Sequence, residues 1–281
     1  MAPFHPWLKA KYWARRLMRW GRPDPDNPQS FTMQEWKDLG VAAEEVAQLM
    51  DHGYVSVAFN SLTMAQVQFY FGIPREPLPM ILPPLDTPIP DALLREISMI
   101  AIDTERAGDN EARSRAMLNA IFMGALRYRR PLAPIGARRM RLGFETPLST
   151  IFKEAPRVVI SGQSDYSIFY DEHDDVAKQV IIIEAKKLGS GQAGLPQLLG
   201  YLGSVQFSRR SDGRAKAPLF GVLTDSEEFV FIVLHENMKY SKKTFHWKEG
   251  DAQRIWSLLV YMIKTMEIRS REPSDEDQML Q

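Results

Sequence analysis

Glu184 and Lys186 stand two residues apart at the end of an apolar run, in the order Val-Ile-Ile-Ile-Glu-Ala-Lys from residue 180. The run predicts a strand buried on both faces. Because alternate residues of a strand point to the same face, the two charged groups lie roughly 6.6 Å apart on one side, while Ala185 turns to the other. A buried charge is costly without a partner, so this strand end is a candidate site.

A second carboxylate, Asp165, begins a neighbouring strand pattern nineteen residues before Glu184. That span lets a hairpin return alongside the Glu184 strand, so the two acids can meet. Two carboxylates with a main-chain carbonyl form a hard oxygen site for magnesium or manganese, which lowers the pKa of a bound water and neutralises a phosphate. Lys186 could then orient or deprotonate that water. Two plainer interpretations stay open: Asp165 could cap a turn, and Glu184 with Lys186 could form a cross-strand ion pair at a strand end.

A helix that carries Gln197 and Tyr201 follows the same strand. Together, the strings GQSDYSIFY and EAKK and this helix resemble the PD-(D/E)XK nuclease superfamily, and the helix looks like its QxxxY motif. With an acid-bearing helix before the strands and a later GVLTD strand, the chain looks most similar to fungal nuclease-like proteins of that superfamily. The likeness covers roughly residues 91–265. Ser164 stands where the motif has proline, a change that leaves the carboxylate of Asp165 in place.

The resemblance implies a restriction-endonuclease-like α/β core that hydrolyses phosphodiester bonds of DNA or RNA with Mg²⁺ or Mn²⁺. The implied site has three metal ligands, one catalytic lysine and two positioning groups, which are Glu111, Asp165 and Glu184, then Lys186, then Gln197 and Tyr201. A nuclease-fold module without catalysis, which binds nucleic acid or a protein partner, is the alternative.

Basic residues accumulate ahead of the predicted strands. Residues 112–144 hold eight arginines and no acid. Such a run forms either a solvated face or a phosphate-facing surface. We predict that six of its arginines bind the phosphates of nucleic acid: Arg127, Arg129, Arg130, Arg138, Arg139 and Arg141.

A glycine-rich turn, Gly-Ser-Gly-Gln-Ala-Gly over residues 189–194, has the outline of a dinucleotide-binding signature. In that fold the strand runs directly into the first glycine, whereas Glu-Ala-Lys-Lys-Leu intervenes here. A ribose-binding acid should follow about twenty residues on, and Asp225 comes about thirty residues later. A flexible loop beside the site is the simpler interpretation of the glycines.

The elements around these motifs alternate between helical and strand patterns. Residues 31–72 read as helical, and seven prolines in residues 74–90 indicate a linker. Helices are predicted from Asp91 and from Asn110, then strands around LGFETPL, RVVISG, DYSIFY and KQVIIIEAKK, the glutamine helix, two more strands and a final helix. The order predicts an α/β fold, a mixed sheet flanked by helices. The expected organisation is a helical region over 1–73, a linker over 74–90, a nuclease-like domain over 91–270 and an acidic tail over 271–281.

Composition restricts the remaining possibilities. The 281 residues include no cysteine, which excludes thiolate metal sites and a cysteine nucleophile. Lysine plus arginine equals aspartate plus glutamate at 35 each. No apolar run reaches the roughly 18 residues that span a bilayer, so we expect an intracellular protein, nuclear or cytoplasmic, with no membrane partner. The basic, tryptophan-containing residues 1–22 could dock on the body, contact nucleic acid or direct the chain to an organelle.

Overall fold

The computed structural model describes residues 54–107, 111–133, 135, 139–152, 157–170, 179–186, 191–211 and 218–269. Within these ranges seven strands form one mixed sheet with helices packed on it, which confirms the predicted α/β class. The strands are β1 Tyr54–Ala58, β2 Met140–Phe152, β3 Arg157–Tyr170, β4 Gln179–Ala185, β5 Leu219–Thr224, β6 Glu228–Leu234 and β7 Tyr240–His246. The α-helices are α1 Met64–Phe71, α2 Asp91–Asp103, α3 Glu111–Arg129, α4 Leu195–Ser211 and α5 Ala252–Arg269.

The long strand β3 organises the sheet. Its 14 residues pair antiparallel with β2 along one edge. On the other edge, β1 runs parallel to its first half and β4 antiparallel to its second half. Strand β4 then pairs parallel with β5, and β6 and β7 follow antiparallel. The segments RVVISG and DYSIFY are therefore one strand, where the sequence predicts two, so Asp165 lies in the middle of a strand.

Two apolar layers cover the sheet. One contains α1 and α4, and the other contains α3 and α5, with α2 packed on α3. Strand β4 is buried on both faces, as its apolar run predicts, because Ile182 points to the first layer while Ile181 and Ile183 point to the second. Helix α4 approaches its neighbours closely at Gly200 and Gly203, where a Cβ would come within 2.6 Å of Leu62 and Phe71 side chains.

The prediction that residues 31–72 are helical is wrong for residues 54–58. These residues form β1, because their main chain pairs with the distant strand β3. The helical prediction is confirmed for α1, which begins with a capping box between Thr63 and Gln66. Both elements share one apolar cluster with α4, so residues 54–73 belong to the same core as the sheet. Residues 1–53, with the basic aromatic start, lie outside the described residues.

The proline-rich segment connects α1 to α2 and also packs on the domain and hydrogen-bonds to it. The Glu76 amide donates to the Tyr240 carbonyl at 2.7 Å, so the segment adds hydrogen bonds to the outer edge of β7. Further on, Leu85 and Ile89 pack on the α3 and α5 layer. The segment thus pairs with the first residue of β7, Tyr240, at the edge of the sheet. In the part of the chain that the structure describes, no helix has the length and apolar character needed to cross a membrane.

Candidate metal and lysine site

The candidate site lies at a fork between β3 and β4. Their last pair at this end is Tyr166 with Ile183, beyond which β4 continues only beside β5. Asp165 fills the fork, because its Oδ2 accepts the Ala185 amide at 2.7 Å in place of a main-chain acceptor. The Lys186 amide donates to the Thr224 carbonyl of β5 at 2.7 Å. The carboxylate of Asp165 is therefore held beside the strand end that carries Glu184 and Lys186.

A chain of hydrogen bonds fixes the lysine. The Lys186 Nζ donates to Glu184 Oε1 at 2.7 Å and to Gln197 Oε1 at 2.9 Å. The Gln197 Nε2 donates to the Tyr201 hydroxyl at 2.7 Å, and that hydroxyl donates to the Gln163 carbonyl at 2.5 Å. The structure thus brings Asp165, Glu184, Lys186, Gln197 and Tyr201 into one neighbourhood.

The donors and acceptors in this series of hydrogen bonds can be assigned in only one way. Because the Tyr201 hydroxyl gives its proton to a main-chain carbonyl, it accepts from the amide group of Gln197, whose oxygen must then face Lys186. Gly194 provides the space for the lysine stem, since a Cβ there would lie 2.6 Å from Lys186 Cε and 2.7 Å from a Leu223 methyl. Helix α4 and the turn before it thus set the position of the ammonium group.

Glu184 is a buried acid of the site with a raised pKa. Its side chain is 5% exposed, and burial together with the nearby charge of Asp165 raises its pKa to about 7, against the lowering effects of Lys186 and Arg115. Its Oε2 is buried and has no hydrogen-bond partner among the described residues. Burial, and then the charge of Glu184, raises the pKa of the Tyr201 hydroxyl, so it remains a proton donor. The orphaned oxygen is where a ligand of this site would be expected.

Arg115 is a site residue that the sequence reasoning missed. Its Nη2 donates to Asp165 Oδ1 at 2.5 Å, and its Nη1 lies 3.6 Å from Glu145 Oε1. The helix that carries it is anchored by Ser114, whose hydroxyl donates to the Asp225 carbonyl at 3.0 Å. A signal was present, because Arg115 follows Glu111 by one helical turn and so lies on the same face of α3.

The donor set fits a magnesium-type ion in part. Magnesium is commonly held by one or two carboxylates and completed by water and substrate phosphate, and Asp165 and Glu184 supply two. Glu111 is the first residue of α3, and its side chain is outside what the structure describes. Among the described side chains, no three acids or histidines converge as a metal group. The orphaned Oε2 of Glu184 is the observation that favours a bound cation.

The six arginines predicted to bind phosphate separate into three groups. Arg129 is wrong as a phosphate ligand, because it is 6% exposed and its guanidinium donates to Glu267 Oε2 at 2.5 Å. Arg138 lies outside the described residues. The other four are exposed: Arg127, Arg130, Arg139 and Arg141.

Asp225, the acid considered for ribose binding, has another role. Its Oδ1 accepts the amides of Glu227 and Glu228 at 3.0 and 2.8 Å, which closes the turn between β5 and β6. Its side chain is buried in that turn. The dinucleotide interpretation therefore lacks the acid that would bind the ribose.

Compared with protein-family models and with curated proteins, the chain matches none.

Proposed function

We propose that the chain is a metal-dependent nuclease that hydrolyses phosphodiester bonds of DNA or RNA with Mg²⁺ or Mn²⁺. The observation that carries the proposal is the buried Oε2 of Glu184, which has no hydrogen-bond partner among the described residues and lies beside Asp165 and next to a lysine held by Glu184 Oε1 and Gln197 Oε1. When bound, the divalent cation would acidify a water and neutralise charge on the phosphate. Asp165 and Glu184 would hold it, with Glu111 available at the start of α3.

The lysine has one donor left for chemistry. An ammonium group has three N–H donors, and the described residues take two of them on Lys186. The third can hold the oxygen of a water that attacks phosphorus in line with the leaving oxygen. The water loses a proton as its oxygen bonds to phosphorus, the bond from phosphorus to the leaving oxygen breaks, and the leaving oxygen takes up a proton, which gives one phosphomonoester end and one hydroxyl end. Gln197 and Tyr201 keep the ammonium group in place.

Nucleic acid is the proposed substrate because of the basic surface that precedes the site in sequence. Arg127 and Arg130 are exposed at the end of α3, and Arg139 and Arg141 are exposed at the start of β2. The α3 and β2 elements also supply Arg115 and Glu145 to the site. Exposed arginines of this kind attract phosphates in a salt-dependent way.

The test compares two alanine variants on several DNA and RNA substrates with magnesium, calcium or chelator. Lys186→Ala should lower the cleavage rate by about a hundredfold or more, while nucleic-acid binding and cation binding survive. Glu184→Ala should abolish cation binding and cleavage together. Lys243→Ala, an exposed lysine of β7, is the matched control and should retain the rate. Equal rates for wild type and Lys186→Ala would refute the assigned lysine role.

A binding module without catalysis is the second candidate, and one observation favours it. The guanidinium of Arg115 is hydrogen-bonded to Oδ1 of Asp165, an oxygen that a cation would need as its ligand. In that case wild-type protein binds nucleic acid in calcium, magnesium and chelator alike and cleaves none of the substrates. Cation-dependent cleavage by the wild type would exclude this second candidate.

A further inference from the structure

The ion pair between Arg115 and Asp165 conflicts with a cation at the same carboxylate. Both oxygens of Asp165 already accept hydrogen bonds, Oδ1 from Arg115 and Oδ2 from Ala185. The amide of Ala185 is fixed in the fork of the sheet. The arginine side chain is 36% exposed and can move. A cation shared by Asp165 and Glu184 would also repel the guanidinium.

Glu145 offers the arginine a second partner. It lies in β2 opposite Asp165, between the pairs Phe144 with Tyr166 and Thr146 with Ser164. Its φ of 48° is in the left-handed region, which non-glycine residues adopt at a cost. This conformation interrupts the alternation of the strand and leaves the Glu145 carboxylate 3.6 Å from Arg115 and 68% exposed. Among the described side chains, the arginine thus contacts the carboxylates of both Asp165 and Glu145, and Asp165 is the one beside Glu184.

We propose that Arg115 is a displaceable counter-ion, which holds Asp165 in the cation-free protein and transfers to Glu145 when a divalent cation binds. This inference rests on the proposed nuclease function, since it assumes that Asp165 and Glu184 hold the cation. The strained backbone of Glu145 is then retained because it keeps an acceptor for Arg115 within reach. The cation affinity of the site is set by competition with the protein's own arginine.

The experiment measures Mn²⁺ binding without nucleic acid, from the electron paramagnetic resonance signal of the free ion. Arg115→Gln should lower the Kd for Mn²⁺ by about three- to tenfold, because the competitor and its repulsion are removed. Glu145→Gln should raise the Kd by about two- to threefold, because Arg115 loses its second partner. Arg95→Gln removes the same charge from an exposed position of α2 and should leave the Kd unchanged.

The double variant separates transfer of the arginine from simple charge effects. If Glu145 acts through Arg115, Glu145→Gln changes nothing further in the Arg115→Gln background. An equal weakening in both backgrounds means that Glu145 attracts the cation directly, which overturns the transfer. An unchanged or raised Kd in Arg115→Gln, with normal binding by wild type, overturns the competition and leaves the proposed function standing.

Two further outcomes are decisive. If wild type and every variant fail to bind Mn²⁺, the proposed nuclease function and this inference fail together. If circular dichroism shows that Arg115→Gln is unfolded, Arg115→Met decides, because methionine keeps most of the apolar stem and removes the charge. A lower Kd in Arg115→Met supports the competition, and an unchanged Kd overturns it.

Discussion

Glu184 makes the stability of the cation-free protein depend on pH. Its pKa rises from an ordinary value of 4.5 to about 7 in the folded state, chiefly because of burial. Between these two values the folded protein keeps a proton that the unfolded chain has lost, so stability falls as pH rises. The destabilisation is absent below about pH 4.5 and complete above about pH 7. This direction is opposite to that of a carboxylate stabilised by a salt bridge.

The size of the effect follows from the shift. A rise from 4.5 to about 7 corresponds to about 3 kcal/mol, at 1.36 kcal/mol for each pKa unit. Glu184→Gln removes the titration and keeps an oxygen for Lys186. We therefore expect the free energy of unfolding of wild type to fall by about 3 kcal/mol relative to Glu184→Gln between pH 4 and pH 8. Acids that do not interact with Glu184 titrate alike in both proteins and cancel in the difference, whereas Asp165, whose charge acts on Glu184, contributes to it.

The assay is urea unfolding followed by circular dichroism at several pH values, with chelator present. Glu96→Gln, an exposed acid of α2, is the control and should show no pH-dependent difference from wild type. Parallel curves for wild type and Glu184→Gln would refute the reasoning, since they would mean that Glu184 is ionised as easily in the folded state as in the unfolded chain. Saturating magnesium should restore wild-type stability at pH 8, because a bound cation replaces the proton.

Two further substitutions test the packing around and beyond the site. Gly194→Ala places a Cβ 2.6 Å from Lys186 Cε and 2.7 Å from a methyl of the buried Leu223, so it should lower the cleavage rate and destabilise the fold by about 1–3 kcal/mol in urea unfolding; an unchanged rate would mean that the lysine position is not critical. Arg129→Leu removes the guanidinium that pairs with the buried Glu267 carboxylate and should destabilise the fold by about 3–5 kcal/mol in urea unfolding. A loss below about 1 kcal/mol would show that the pair is replaceable.

The strand that carries the site could be predicted because its signals are local. An apolar run that ends in Glu-Ala-Lys fixes which residues share a face, and strand geometry alone brings Glu184 to Lys186. The helix that follows places Gln197 and Tyr201 one turn apart, which is also a local relation. The plainer interpretations were right in part: Glu184 and Lys186 do form an ion pair, but within one strand, and Asp165 accepts an amide, but that of the neighbouring strand and not of a turn.

The prediction for Arg129 is wrong because it rests on the composition of the segment and not on the helical periodicity. Arg129 was grouped with its basic neighbours because residues 112–144 contain no acid. Helix α3, however, buries Leu118, Phe122 and Ala125, and the same helical spacing leads to Arg129. The spacing predicts that this position faces the core. The partner, Glu267, lies 138 residues away, and no local pattern identifies it.

Strand β1 and the contacts of Arg115 depend on long-range pairing. Residues 54–58 could be recognised as a strand only once β3 was available as their partner. Glu145 reaches Arg115 because of a positive φ inside a strand, and nothing in its neighbours requires that conformation. These features arise when separate elements assemble, so the sequence taken segment by segment does not contain them.

The charges of the cation-free site suggest why metal and substrate would bind together. Arg115 and Lys186 face Asp165 and Glu184, so the four groups cancel when Glu184 is ionised. A divalent cation adds two positive charges to that set. Transfer of Arg115 towards Glu145 moves one positive charge away, and a phosphodiester brings one negative charge in. Under the proposed function, and with Asp165 and Glu184 as the carboxylate ligands of the cation, the site returns to neutrality only when cation and nucleic acid are both present, so each should favour the binding of the other.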